Sequence, residues 1–180
     1  MSVREVLRLG DPRLRQHARE VEEALFRTAE LAALIADLRD TMAARDGAGL
    51  AAPQIGVPLR VVLYGISANP RYPEAPPIPE TVLINPVLTP LGEERQLGWE
   101  GCLSVPGLRG EVERAQRLQV AWRDPRGGHH ERAVEGFHAR VVQHECDHLD
   151  GLLFVDRLHD IRRFGFSDAL RAAGLLGSPP

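Results

Sequence analysis

The stretch QHECDHLDG, Gln143–Gly151, constrains this chain more than any other, because two histidines stand four residues apart with a glutamate directly after the first. Side chains at i and i+4 converge on a helix, where they sit one turn apart on the same face. The segment from Gly136 to Leu149 therefore predicts a helix. At about 100° per residue, positions 137, 141, 144 and 148 fall along one stripe, so Phe137 and Val141 share a face with His144 and His148. Two imidazoles beside an apolar wall can both reach a single metal ion. The intervening Glu145 projects to the side, where it can take a proton from water activated at that ion.

H-E-x-x-H is thus a hydrolase signature with a mechanism behind it, but the same spacing occurs in buried helices whose histidines are hydrogen-bonded core residues. The third ligand is what separates the two readings. No glutamate follows Glu145, which removes the thermolysin pattern. The position where a metzincin carries its third histidine is Phe154, which removes that pattern too. Asp156 or Asp160 could complete the site of an aspartate-liganded endopeptidase. Upstream, GWEGCLSVPG (Gly98–Gly107) sets Cys102 among small and polar residues, where a thiol could face a cleft or serve as a small core residue. Cys146, two positions after His144, points about 200° away and fits the core reading better.

The basic residues number 22 and every one is arginine, so Schiff-base chemistry and the phosphate-binding lysine of a P-loop are excluded. A net charge of -3 gives no broad basic field for nucleic acid. The opening MSVREVLRLGDPRLRQ interrupts each apolar run with a charge, and no later run approaches the roughly 18 residues of a membrane span. These features predict a soluble, cytoplasmic protein with no membrane contact. Two cysteines in a reducing compartment point to metal binding or packing rather than to a disulfide.

At 180 residues and 43% hydrophobic the chain suits a single domain. Leu25, Leu31, Leu34, Ile35, Leu38 and Met42 recur at helical intervals in Glu22–Gly47 and predict a long amino-terminal helix stopped at Gly47. LRVVLYGI, ETVLINPVLTPLG, RLQVAWRDPRG and ERAVEGF are short β-branched runs bounded by Gly, Pro and Asp, which predict antiparallel strands. SANPRYPEAPPIPE, residues 67–80, has five prolines and predicts an exposed loop that is neither helix nor central strand. GAGLAAPQIG, Gly47–Gly56, reads as a glycine-rich turn without the spacing of a nucleotide-binding loop.

Taken in order, GAGLAAPQIG, EGCLS and QHECDHLDG closely resemble the three signature motifs of peptide deformylases, and the resemblance runs from LRLGDPRLR to about LLFVDRL. It implies an α+β fold with antiparallel sheets around a central helix carrying H-E-x-x-H, a core of about residues 1–160 and a variable tail over 161–180. It implies that Cys102, His144 and His148 hold one divalent ion per chain, iron(II) in the cell, with zinc, nickel or cobalt able to replace it. Glu145 would then be the general acid/base, and Gln54 with the Leu103 amide would hold the formyl oxygen. Gly49 and Leu50 would line the peptide-binding edge and Arg109 would lie near the substrate backbone. Phe137 and Val141, already placed beside the histidines, would receive the methionine side chain. The implied substrates are N-formylmethionyl nascent peptides, met in transient contact with the ribosome near the exit tunnel.

Overall fold

A computed structural model describes residues 2–66 and 76–176. The strands are β1 (Gly49–Ala51), β2 (Val61–Ile66), β3 (Ile78–Pro90), β4 (Arg95–Cys102), β5 (Val105–Ala115), β6 (Arg117–Arg123), β7 (His129–Glu135) and β8 (Phe164–Phe166). The helices are α1 (Ala29–Ala44), α2 (Gly136–Leu149) and α3 (Ser167–Ala172). Five strands form one sheet in the order β1-β2-β3-β6-β7, and three form a second in the order β4-β5-β8. All pairings between these strands are antiparallel, which makes the chain α+β.

The helix expected over Glu22–Gly47 begins later than its apolar spacing suggests. Glu23–Leu25 is a single 3-10 turn, and Arg27 at φ 64° interrupts the chain. Thr28 then caps α1, its hydroxyl oxygen accepting the Leu31 N–H at 3.2 Å. Leu31, Ile35, Leu38 and Met42 form the buried face of α1, and the helix ends before Gly47, whose N–H returns to the Met42 carbonyl at 3.0 Å.

β2 is buried on both faces, and its period-2 alternation divides the core. Val61 and Leu63 pack against the apolar face of α1, whereas Val62, Tyr64 and Ile66 pack with Ala139, Val142, Cys146 and Leu149 of α2. The larger sheet is therefore sandwiched between the two helices. α2 is buried around most of its circumference, which holds its side chains in fixed positions.

Two departures from the sequence reading have clear physical causes. Residues 78–80 of the expected proline-rich loop are strand: Ile78 pairs with Ile66, and a register irregularity between Tyr64 and Ile66 accommodates the start of β3. Residues 67–75 lie outside the described region. The β4–β5 hairpin was hidden by its glycines, which weaken a strand pattern and mark close approaches. A Cβ at Gly98 would lie 2.9 Å from the Arg140 guanidinium carbon, and one at Gly110 would collide with a Leu158 methyl. Chain beyond residue 160 is also tied to the body, since β8 pairs with β5 at Leu108↔Phe166 and Gly110↔Phe164.

Candidate active site

The end of β4 meets the middle of α2 at the two imidazoles. His144 and His148 stand one turn apart, their ring centroids 5.2 Å apart and nearly perpendicular. Cys102 Sγ lies 3.4 Å from His148 Nε2. One donor atom from each of the three residues falls within 4.8 Å of the others, and their exposures are 4%, 9% and 1% for Cys102, His144 and His148. Convergence of three soft or borderline donors in a shielded place is unlike three satisfied core residues.

A fourth residue, not singled out from the sequence, orients the first imidazole. Glu100 Oε2 lies 2.8 Å from His144 Nδ1, so Nδ1–H donates to the carboxylate and the Nε2 lone pair is left for a cation. Glu100 also accepts from Arg114 Nε at 2.9 Å and Nη2 at 3.0 Å, and from Arg140 Nη1 at 2.9 Å. Burial opposes ionisation of Glu100, but the His144 and Arg114 hydrogen bonds outweigh it and hold the carboxyl well below its usual range. Arg114 continues to Asp147 on α2 at 2.6 Å, and Arg157 braces Asp147 at 2.8 Å. The spacing of Glu100 and Cys102, two apart on one strand face, was the available signal for this support.

The electrostatics suit a bound cation. Burial pushes the Cys102 thiol upward, yet the neighbouring His148 and His144 draw it well below its usual value, which favours the thiolate form. Burial pushes His144 down, while Cys102 and Glu100 raise it. Negative sulfur thus stabilises positive charge placed between these donors. The donor set, a thiolate and two imidazoles, fits iron(II), zinc, nickel or cobalt. Cys146 differs: burial pushes its thiol up, and its side chain is part of the apolar cluster under β2.

Glu145 is 5% exposed and its Oε2 has no hydrogen-bond partner among the described residues. Burial raises its carboxyl above the ordinary range. An unpaired buried carboxylate oxygen is costly unless a ligand or water serves it. β1 approaches so closely that a Cβ on Gly49 would lie 2.6 Å from the Glu145 side chain.

A cleft opens over these groups, lined by Gly49, Gln54, Cys102, Leu103, Phe137, Val141, His144 and Glu145, with Trp99 and Gly101 among the remaining wall residues. Gln54 is fixed at both ends, its Oε1 accepting the Ala51 N–H at 2.8 Å and its Nε2 donating to Ser104 Oγ at 3.1 Å, 3.5 Å from Cys102 Sγ. Leu50 departs from expectation: alternation along β1 turns its fully buried side chain into the α1 cluster, away from the cleft. Arg109 lies beside Gly101 on the neighbouring strand, at the rim rather than in the wall. The endopeptidase alternative loses its ligands, because Asp156 is engaged by Arg15 and the Leu153 N–H, and Asp160 by Arg162.

The model of the family Polypeptide deformylase matches residues 3–164. Peptide deformylase 1 of Prochlorococcus marinus is 57% identical over 177 residues, 98% of this chain and 91% of that protein. Peptide deformylase 1 of Nitrosomonas europaea is 57% identical over 168 residues, 93% of this chain and 94% of that protein. Among solved structures, the class I type b peptide deformylase of Acinetobacter baumannii bound to Met-Ala-Ser superposes with a TM-score of 0.85 at 42% identity, covering 88% of this chain and all of that one. With the order of the three motifs, the geometry around Cys102 and the match over almost the whole length in agreement, the chain belongs to the polypeptide deformylase family.

Proposed function

We propose that this protein removes the formyl group from the amino-terminal formylmethionine of newly made chains, releasing formate and a peptide with a free amino terminus. The observation that carries this reading is the unpartnered Glu145 Oε2 beside the converging donors of Cys102, His144 and His148. Cys102, His144 and His148 would hold a divalent ion, which when bound would supply Lewis acidity and lower the pKa of the attacking water. Iron(II) is the ion we assign in the cell. Glu145 takes a proton from the attacking water and delivers it to the leaving nitrogen. Gln54 Nε2 and the Leu103 amide donate to the formyl oxygen as negative charge develops there. Because Ala51 and Ser104 already fix the Gln54 side chain, little reorganisation accompanies the reaction.

The methionine side chain packs against Phe137 and Val141, a wall suited to an unbranched thioether. The Gly49 edge and Arg109 at the rim flank the peptide backbone. Nascent chains in the cytoplasm, met near the ribosome, are the substrates we assign. The described residues contain no helix long and apolar enough to cross a membrane.

Selectivity tests this reading. An acetyl group adds a methyl where the formyl group has only hydrogen, and a formyl-Asp substrate brings a charge to the apolar wall. We expect kcat/KM for formyl-Met-Ala-Ser to exceed that for its acetyl and formyl-Asp counterparts by about a hundredfold or more. Comparable values across the three, or cleavage of the Met-Ala bond, would reopen the peptidase reading.

A further inference from the structure

The cleft has a deep end at Cys102 and Glu145, an apolar wall at Phe137 and Val141, and an outer side that includes Trp99 and Gly101. Strand alternation turns Glu100 and Cys102 of β4 toward α2 and puts Trp99 and Gly101 on the other face. There Trp99 is directly opposite Glu111 of β5. Arg163 approaches both from the segment between α2 and β8. Its guanidinium carbon lies 4.9 Å from the Trp99 ring centroid. It donates through Nε at 3.2 Å and Nη2 at 3.0 Å to the two carboxylate oxygens of Glu111.

The pair is shielded, with side-chain exposures of 33% for Arg163 and 17% for Glu111, so the fork is more confined than an ordinary surface ion pair. The segment carrying Arg163 is itself pinned along β5. The His159 N–H donates to the Glu111 carbonyl at 3.1 Å, Leu158 bridges Val112, and β8 pairs with Leu108–Gly110. Arg163 is thus the point at which the carboxy-terminal segment grips the mouth of the cleft.

We infer that Arg163 is a positioning residue that holds Trp99 as the wall along which the second and third residues of the substrate run. The inference rests on the deformylase reading, since a formyl group at Cys102 and a methionine side chain against Phe137 and Val141 send the rest of the peptide outward past Trp99. Affinity for longer peptides then depends on a segment that contributes no catalytic atom. Arg163 combines two attachments that fix one ring: the fork to Glu111 fixes the guanidinium, and the cation–π contact fixes the indole beneath it.

The test uses full-length protein in a Trp122→Phe background, which leaves Trp99 as the sole tryptophan of the two in the chain. Trp122 stacks on His130 in β7, away from the cleft. Arg163→Ala should raise KM for formyl-Met-Ala-Ser by about three- to tenfold, with kcat within about twofold, and leave formyl-Met amide hydrolysis within about twofold. Trp99 emission should shift to longer wavelength and become more quenchable by acrylamide, and a higher concentration of Met-Ala-Ser should be needed to perturb it. Arg163→Lys, which keeps a charge near the ring but not the two-pronged contact with Glu111, should recover only part of each change. An unchanged KM for the tripeptide, equal losses on both substrates, or unaltered Trp99 emission would each overturn the inference. Failure of the unsubstituted protein to release formate from either substrate would overturn the deformylase reading instead, while the Met-Ala-Ser titration would still decide whether Trp99 forms the wall.

Discussion

Glu145→Gln is expected to keep the fold and the metal content while turnover of formyl-Met-Ala-Ser falls by about two to four orders of magnitude. Glutamine matches glutamate in volume and preserves the contact with Gly49, where no larger residue fits. Residue 145 is not among the converging donors, so Cys102, His144 and His148 are all retained. What it lacks is the capacity to accept a proton and return it. The unpartnered Oε2 identifies the atom concerned, since every other buried carboxylate in the site is engaged: Glu100 by two arginines and His144, Asp147 by Arg114 and Arg157. Metal content measured beside turnover separates loss of the base from loss of the ion. Near-normal turnover with full metal content would show that another group moves the proton.

The two cysteines should respond oppositely to truncation. Cys102→Ala removes one of the three converging donors and leaves two imidazoles, so metal affinity should fall by at least about a hundredfold and activity with it. Cys146→Ala removes a sulfur from the cluster formed by Val62, Val142 and Leu149. That variant should keep its full metal complement and turnover, with a stability loss of about 1–2 kcal/mol from the small cavity. Metal analysis after gel filtration decides the matter, and equal retention by both variants would reject Cys102 as a ligand.

The readable part of this site was the part carried by local spacing. His144 and His148 lie one helical turn apart, so periodicity alone put them on a common side with Phe137 and Val141 and left Glu145 projecting beside them. The order of three short motifs then brought in Cys102 and Gln54, which no local rule could have joined to α2. What stayed hidden depends on long-range pairing. Arg114 reaches Glu100 only because β4 and β5 form a hairpin, and four glycines between Gly98 and Gly110 disguised those strands as loop. Arg163 reaches Trp99 only because β8 is added to the outside of β5. Leu50 was misplaced for a simpler reason: adjacent residues on a strand face opposite ways, so the motif that brings Gly49 to the cleft turns Leu50 into the core. Similarly, the apolar recurrence from Leu25 to Met42 concealed a break, because Arg27 in a left-handed conformation leaves the apolar spacing intact while ending the first turn.

The central claim is that Cys102, His144 and His148 hold the ion on which deformylation depends. Formate release from formyl-Met-Ala-Ser tests it most directly, with protein purified without oxygen and assayed before chelation, after chelation, and after return of iron(II). The account predicts release of formate in equal amount to new amino termini, loss of that release on chelation, and recovery as iron(II) is restored to one equivalent per chain. Formate release that is indifferent to chelation, or peptide cleavage without formate, would contradict it.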